Sequence, residues 1–237
     1  MCIRDRGISD VTILPVDTSI GSAGSTSASR QTWMSGGAVL KACEAVVDAL
    51  RLDLSSENGV AYEKSGLNLV SKDATHSIDI STALRGRNYD EHVTHRHKRT
   101  FPLDHNGQGN AHVSFAFAAH RAVVDVDEEL GLVRVVEIAT SQDVGRVLNP
   151  VQARGQIEGG IAQGLGLALL EELVLDSGKI VNANFTDYLL PTSMDTPPIK
   201  IASLIEQSEP GAPFGAKGIG EPPVISSTPA IISCLLY

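Results

Sequence analysis

Residues 112–140 read HVSFAFAAHRAVVDVDEELGLVRVVEIAT, and residues 149–169 read NPVQARGQIEGGIAQGLGLAL. The first stretch holds two apolar runs, His112–Asp127 and Leu132–Thr140, around the acidic turn Asp127–Gly131. Val123, Val124 and Val126, then Val133, Val135, Val136 and Ile138, are β-branched and suit a pleated surface, so the stretch predicts a β-hairpin. In the second, Asn149-Pro150 marks a turn into a helix expected over Val151–Leu173. Ile157, Ile161, Leu165, Leu169 and Leu173 recur every fourth residue, which gives the helix one apolar stripe. Gly155, Gly159, Gly160, Gly164 and Gly166 lie in the same span, each costing about 1 kcal/mol against alanine. Such a cluster calls for close approach of another backbone or a ligand, and the glycine face of 155–166 is expected to point towards the Ser27–Gln31 loop.

Outward from this centre, Val11–Val16 predicts a short strand. The small-residue stretch Ser19–Ser29 predicts a loop, and Gly37–Leu52 a helix with Ala38, Cys43, Val46, Val47 and Leu50 on its stripe. A strand, a small-residue loop and a helix in that order present free N–H groups to an anion. Leu67–Val70 and Thr75–Ile80 are further strand candidates, and Thr100–Asn110 is a polar loop. Strands flank Asp176-Ser177-Gly178-Lys179, another covers Ile199–Glu206, and the loop Pro210–Gly220 leads into a Pro-initiated helix after Glu221. There is no internal repeat. Helices and strands without strict alternation predict an α+β fold, mixed sheets with packed helices.

The chain has 237 residues, 42% of them hydrophobic and 20% charged, which is a globular composition. Its net charge of −9 argues against a nucleic-acid surface. The basic run His95–Arg99 reads as a solvated loop, and His92, His95 and His97 fit no metal-ligand spacing. No apolar run is long enough to span a membrane, no signal-peptide pattern begins the chain, and a cytoplasmic location is the expectation. The three cysteines are too few and too scattered for an iron–sulfur centre. Residues 1–6 and 234–237 resemble translated assembly artefacts and are expected to be non-native, which leaves 7–233 as the part to be read.

Three runs could carry chemistry. In Gly24–Thr32, small side chains expose the backbone, hydroxyls and N–H groups can meet phosphate oxygens, and Arg30 offers a cationic fork. An ordinary N-cap by Ser29 or Thr32 is the plain alternative. In Asp143–Gly160, Gln156 and Glu158 sit among glycines near a helix start, and a Gln amide can read a heterocycle edge. Helix packing explains the same glycines. In Gly215–Pro223, Glu221 ends a glycine-rich turn and is followed by two prolines, a setting suited to proton abstraction. A helix N-cap would leave the same pattern.

Taken together, the runs Ser27–Thr32, Gln142–Arg146 with Asn149-Pro150, Gly155–Gly160 and Pro213–Pro223 resemble the molybdenum-binding subunit of the xanthine dehydrogenase and aldehyde oxidase family. They occur in that family's order. Pro102–Gly109 and Ala116–Arg121 are most similar to the D subunits of bacterial xanthine dehydrogenases, which act in purine breakdown. The resemblance implies the C-terminal part of a molybdopterin-binding region, as a fragment inactive in isolation. It implies that Ala28, Ser29, Arg30, Gln31, Gln156, Lys217 and Gly218 contact the cofactor, and that Glu221 is the catalytic base. It implies hydroxylation of a purine or related N-heterocycle, with water as oxygen source and hydride transfer to the molybdenum centre. The expected cofactor is molybdenum-molybdopterin in its cytosine dinucleotide form, with iron–sulfur and FAD groups on partner subunits. An aldehyde- or carbon monoxide-oxidising member of the same superfamily is the alternative. So is a non-catalytic piece in which the glycines only pack. The family's earlier glycine-rich loop and its substrate-pocket arginine have no counterpart in this sequence.

Overall fold

The computed structural model describes residues 11–22 and 24–236. It divides into two compact units, one made of residues 1–33 and 98–237, the other of residues 34–97. Helix α1 (Gln31–Asn58) begins in the first and continues into the second.

In the second unit, strands β1 (Tyr62–Ser65), β2 (Asn68–Ser71) and β3 (Ser77–Asp79) form an antiparallel meander, followed by the short helix α2 (Ile80–Ala83). Leu50 and Leu54 of α1 bury themselves against Tyr62, Leu69 and Ala83. The helix is longer than the expected Gly37–Leu52, and Cys43 is exposed rather than part of the buried stripe. His95 departs from the solvated-loop expectation. Both its ring nitrogens are buried without a hydrogen-bond partner, and its ring lies where a Cβ on Gly37 would fall.

The first unit is built on the hairpin β4 (Ala118–Asp127) and β5 (Leu132–Asp143). The antiparallel pairing agrees with the sequence expectation, although β4 starts six residues later than His112 and β5 runs on to Asp143. Helix α3 (Pro150–Leu169) follows, with Asn149 as its N-cap accepting from the Gln152 N–H at 3.2 Å. The chain then passes through the small hairpin β6 (Leu175–Asp176) and β7 (Lys179–Ile180) and returns as β8 (Ile199–Ile205), parallel to β5. A parallel return needs such a long crossover. The last helix is α4 (Pro222–Leu236). Val135, Ile138, Ile157, Ile161, Leu165 and Ile231 form the core between sheet and helices.

Three further expectations need correction. Val11–Val16 forms no strand; Ile13 is 91% and Val16 97% exposed, and β propensity without a neighbouring edge does not make a strand. Helix α3 ends at Leu169, and Leu173 is exposed beyond it. The glycines of α3 do not turn towards the Ser27–Gln31 loop. A Cβ on Gly160 would lie 2.8 Å from Pro223 Cβ, and one on Gly164 would strike Ser227, so those two glycines admit α4. Gly155 and Gly159 have nothing within 4 Å. Among the described residues, no helix is long and apolar enough to cross a membrane.

Candidate functional site

Three separated segments of the first unit come together: the Ser29 turn packs on the run 215–221, and that run pairs with the end of β5. Ala28 and Ser29 have φ of 61° and 51°, consecutive left-handed conformations in residues that carry a Cβ. Each costs on the order of 1 kcal/mol or more and persists only where the surroundings hold it. Here the holder is the C-terminal glycine run. The Glu221 N–H donates to Ser29 Oγ at 2.9 Å, and that hydroxyl donates to Glu221 Oε2 at 3.3 Å. A Cβ on Gly218 would sit 2.9 Å from the Ser29 carbonyl oxygen, so a larger residue would push the two segments apart. The Glu221 carbonyl accepts the first helical bonds of α4, from Val224 and Ile225. Its backbone therefore starts a helix, as a cap does, while its carboxylate is held by Ser29.

The end of β5 forms the adjoining wall. The Lys217 N–H donates to Val144 O at 3.1 Å and the Arg146 N–H to Gly215 O at 2.9 Å. Gly145 has φ 58°, and a Cβ there would lie 2.8 Å from the Lys217 nitrogen. This register brings Lys217 Nζ to 2.5 Å from Asp143 Oδ2, with side chains only 8% and 7% exposed. Asp143 Oδ1 also accepts from the Gly145 N–H. The Lys217 ammonium thus stands in a buried ion pair that fixes the glycine run.

Between these walls lies a cleft of about 350 Å³. The first residues of α1 (Gln31, Thr32), the first turns of α3 (Gln152, Ala153, Gln156) and the turn leading into α4 (Ile219, Gly220) all line it. Helix N-termini expose unpaired N–H groups and carry partial positive charge, so their convergence favours an anion. Arg146 adds a guanidinium with no hydrogen bond or ion pair among the described residues. Gln152 and Gln156 are four residues apart on one face of α3, and neither side-chain amide has a partner among the described residues.

Of the site residues expected from sequence, Ser29, Gln31, Gln156 and Lys217 line this cleft. Glu221 stands next to its Gly220 wall and is hydrogen-bonded to Ser29. Gly218 serves the close approach of Ser29. Ala28 and Arg30 are not in the lining, and the Arg30 guanidinium bonds the Ser25 carbonyl and hydroxyl at 3.3 and 2.9 Å. Glu158 forms a surface pair with Arg154. Sequence reasoning did not single out Asn149, Gln152 or Arg146 as site residues. Asn149 and Arg146 stood inside quoted motifs, and Gln152 had only its spacing of one helical turn before Gln156 as a signal. Among the described residues, no group of three or more His, Cys, Asp or Glu side chains is arranged to hold a metal ion.

Residues 5–197 match the family model of the molybdopterin cofactor-binding domain, and the chain belongs to that family. It is 31% identical over 216 residues, 87% of its length, to the gamma subunit of the 6-hydroxypseudooxynicotine dehydrogenase complex of Paenarthrobacter nicotinovorans. It is 40% identical over 118 residues, 49% of its length, to a putative xanthine dehydrogenase molybdenum-binding subunit of Escherichia coli. The chain spans 26% of the first relative and 16% of the second. The solved aldehyde oxidoreductase of Desulfovibrio desulfuricans superposes with a TM-score of 0.65 at 26% identity, over 88% of this chain and 20% of that one. A copper- and molybdenum-containing carbon monoxide dehydrogenase shares the fold, with a TM-score of 0.68 at 20% identity over 86% of this chain and 26% of the other. The architecture is that of the molybdopterin-binding regions of molybdenum hydroxylases, of α+β class.

The donor set suits such a group. Free amides on α3 can read the edge of a heterocycle, and helix N-termini with Arg146 can take phosphate.

Proposed function

We propose that this cleft binds the molybdopterin cofactor of a xanthine dehydrogenase-type hydroxylase, with Glu221 as the general base. The observation that carries the reading is the Ser29–Glu221 contact beside a cleft ringed by three helix starts. When bound, the cofactor supplies oxygen-transfer and two-electron chemistry. Gln152 and Gln156 orient its ring system, and Arg146 with the first turns of α1 and α3 meets its phosphate. Ser29 holds Glu221 Oε2, which leaves Oε1 to take a proton. The substrate is a purine or related N-heterocycle hydroxylated with oxygen from water, a reading supported by the similarity to the xanthine dehydrogenase subunit. The cofactor is the cytosine dinucleotide form, and electrons leave through iron–sulfur and FAD subunits in the cytoplasm.

The test is Glu221→Gln in the assembled enzyme. General base catalysis contributes about 10²–10⁴ in rate, so kcat should fall at least about a hundredfold with molybdenum content unchanged. A residue acting only as a helix cap would instead lose about 1 kcal/mol of stability and keep its turnover.

A further inference from the structure

The inward face of the β4–β5 hairpin carries a polar network that the cleft does not use. His120 stands opposite Thr140 in the register, and Gln142 follows two residues later on the same face of β5. Gln142 and Thr140 are 1% and 2% exposed. The proton assignments follow from the placement of the Gln142 amide nitrogen between Thr140 and His120. The Thr140 hydroxyl donates to the Ala119 carbonyl at 3.1 Å, so its oxygen must accept from Gln142 Nε2 at 2.7 Å. The other N–H of that amide points at His120 Nε2, 3.3 Å away, which must then present a lone pair. The imidazole proton is therefore on Nδ1, 2.7 Å from Ser226 Oγ on α4.

Ser226 lies five residues after Glu221, on the helix that Glu221 starts. On its other side α4 is fixed to α3, where Thr228 Oγ1 donates to the Gly164 carbonyl at 2.9 Å. The imidazole supplies the matching anchor on the sheet side.

We propose that His120, held in its Nδ1–H tautomer by Gln142, anchors α4 through Ser226 and so acts as a positioning residue for Glu221. The proposal rests on the reading of Glu221 as the base. The polar groups facing the imidazole, Thr140 and Gln142 from β5 and Ser226 from α4, are all neutral. Burial alone holds the His120 pKa below the ordinary histidine value. A proton added at Nε2 would oppose one N–H to another at Gln142, so on the acid side Gln142 no longer orients the ring, although Nδ1–H still donates to Ser226.

Nitrogen-15 NMR of the imidazole in the wild-type chain at neutral pH tests the first part. A neutral Nδ1–H ring is expected, and an Nε2–H tautomer or an imidazolium overturns the proposal. Amide exchange of Val224 and Ile225 should quicken in His120→Leu, and unchanged exchange there also overturns it. In the assembled, molybdenum-loaded enzyme, His120→Leu should lower kcat about tenfold at constant KM and molybdenum content. His120→Asn, whose amide can replace Nδ1 at Ser226, should keep most of the rate and lose the acid limb of the pH profile. A wild-type kcat in the leucine variant, or an unchanged acid limb in the asparagine variant, contradicts the positioning role. Should Glu221 prove not to be the base, the NMR and exchange measurements still decide whether the anchor exists.

Discussion

The glycine runs of α3 and of residues 215–220 look alike in sequence but meet different partners. Gly160 and Gly164 of α3 make room for Pro223 and Ser227 of α4, which is helix packing. Gly218 lets the loop close on Ser29, and Gly145, bridged to Ala216, lets the end of β5 close on Lys217 at the cleft wall. A missing Cβ marks a close approach in both places. The neighbour decides whether that approach builds a core or a site.

The second run is most sensitive at the buried ion pair of Lys217 and Asp143 that fixes it. Lys217→Met leaves Asp143 charged and buried, and Asp143→Asn does the converse. Each should cost about 3–5 kcal/mol in denaturant unfolding, because the surviving charge has no compensation. The double variant should recover much of that loss, since neither buried charge remains. In the first run, Gly164→Val forces a side chain into Ser227, and overpacking of this kind costs about 1–3 kcal/mol. Gly159→Ala meets nothing within 4 Å and should stabilise the protein by up to about 1 kcal/mol through helix propensity. Equal melting shifts for these two would erase the distinction drawn within α3.

A smaller effect comes from pH. The folded-state pKa of His120 lies below the ordinary value of 6.5 because of burial. As pH falls through about 6.5 the unfolded chain takes up a proton that the folded chain refuses, so stability decreases there. His120→Asn should flatten that part of the stability–pH curve. An identical slope in wild type and variant would show that His120 does not contribute to it.

Much of this was legible in the sequence because it rests on local pattern. The valine alternation marked the hairpin, and Asn149-Pro150 marked the start of α3 with its cap. Gln156 and Glu221 stood out because polar residues among glycines are unusual, and both come to the cleft or its edge. Pairings across long sequence separations were not legible. The pairing of Lys217 with Asp143, 74 residues earlier, left no local pattern to read. Arg30 read as a cationic fork for phosphate, and the fold shows its guanidinium bonded to the Ser25 carbonyl and hydroxyl. Val11–Val16 had strand propensity, but composition does not tell whether an edge lies nearby to pair with it.

Molybdenum and pterin content in the assembled enzyme tests whether the cleft holds a molybdopterin cofactor through α3. The variant is Gln152→Leu combined with Gln156→Leu, compared with Glu158→Gln on the same helix. Each lost hydrogen bond contributes about 0.5–1.5 kcal/mol, and more when a buried partner is left unsatisfied. Cofactor affinity in the double variant should therefore fall about tenfold or more, while Glu158→Gln stays fully loaded. Full molybdenum and pterin occupancy in the folded double variant, under limiting cofactor, would contradict the assignment of this cleft.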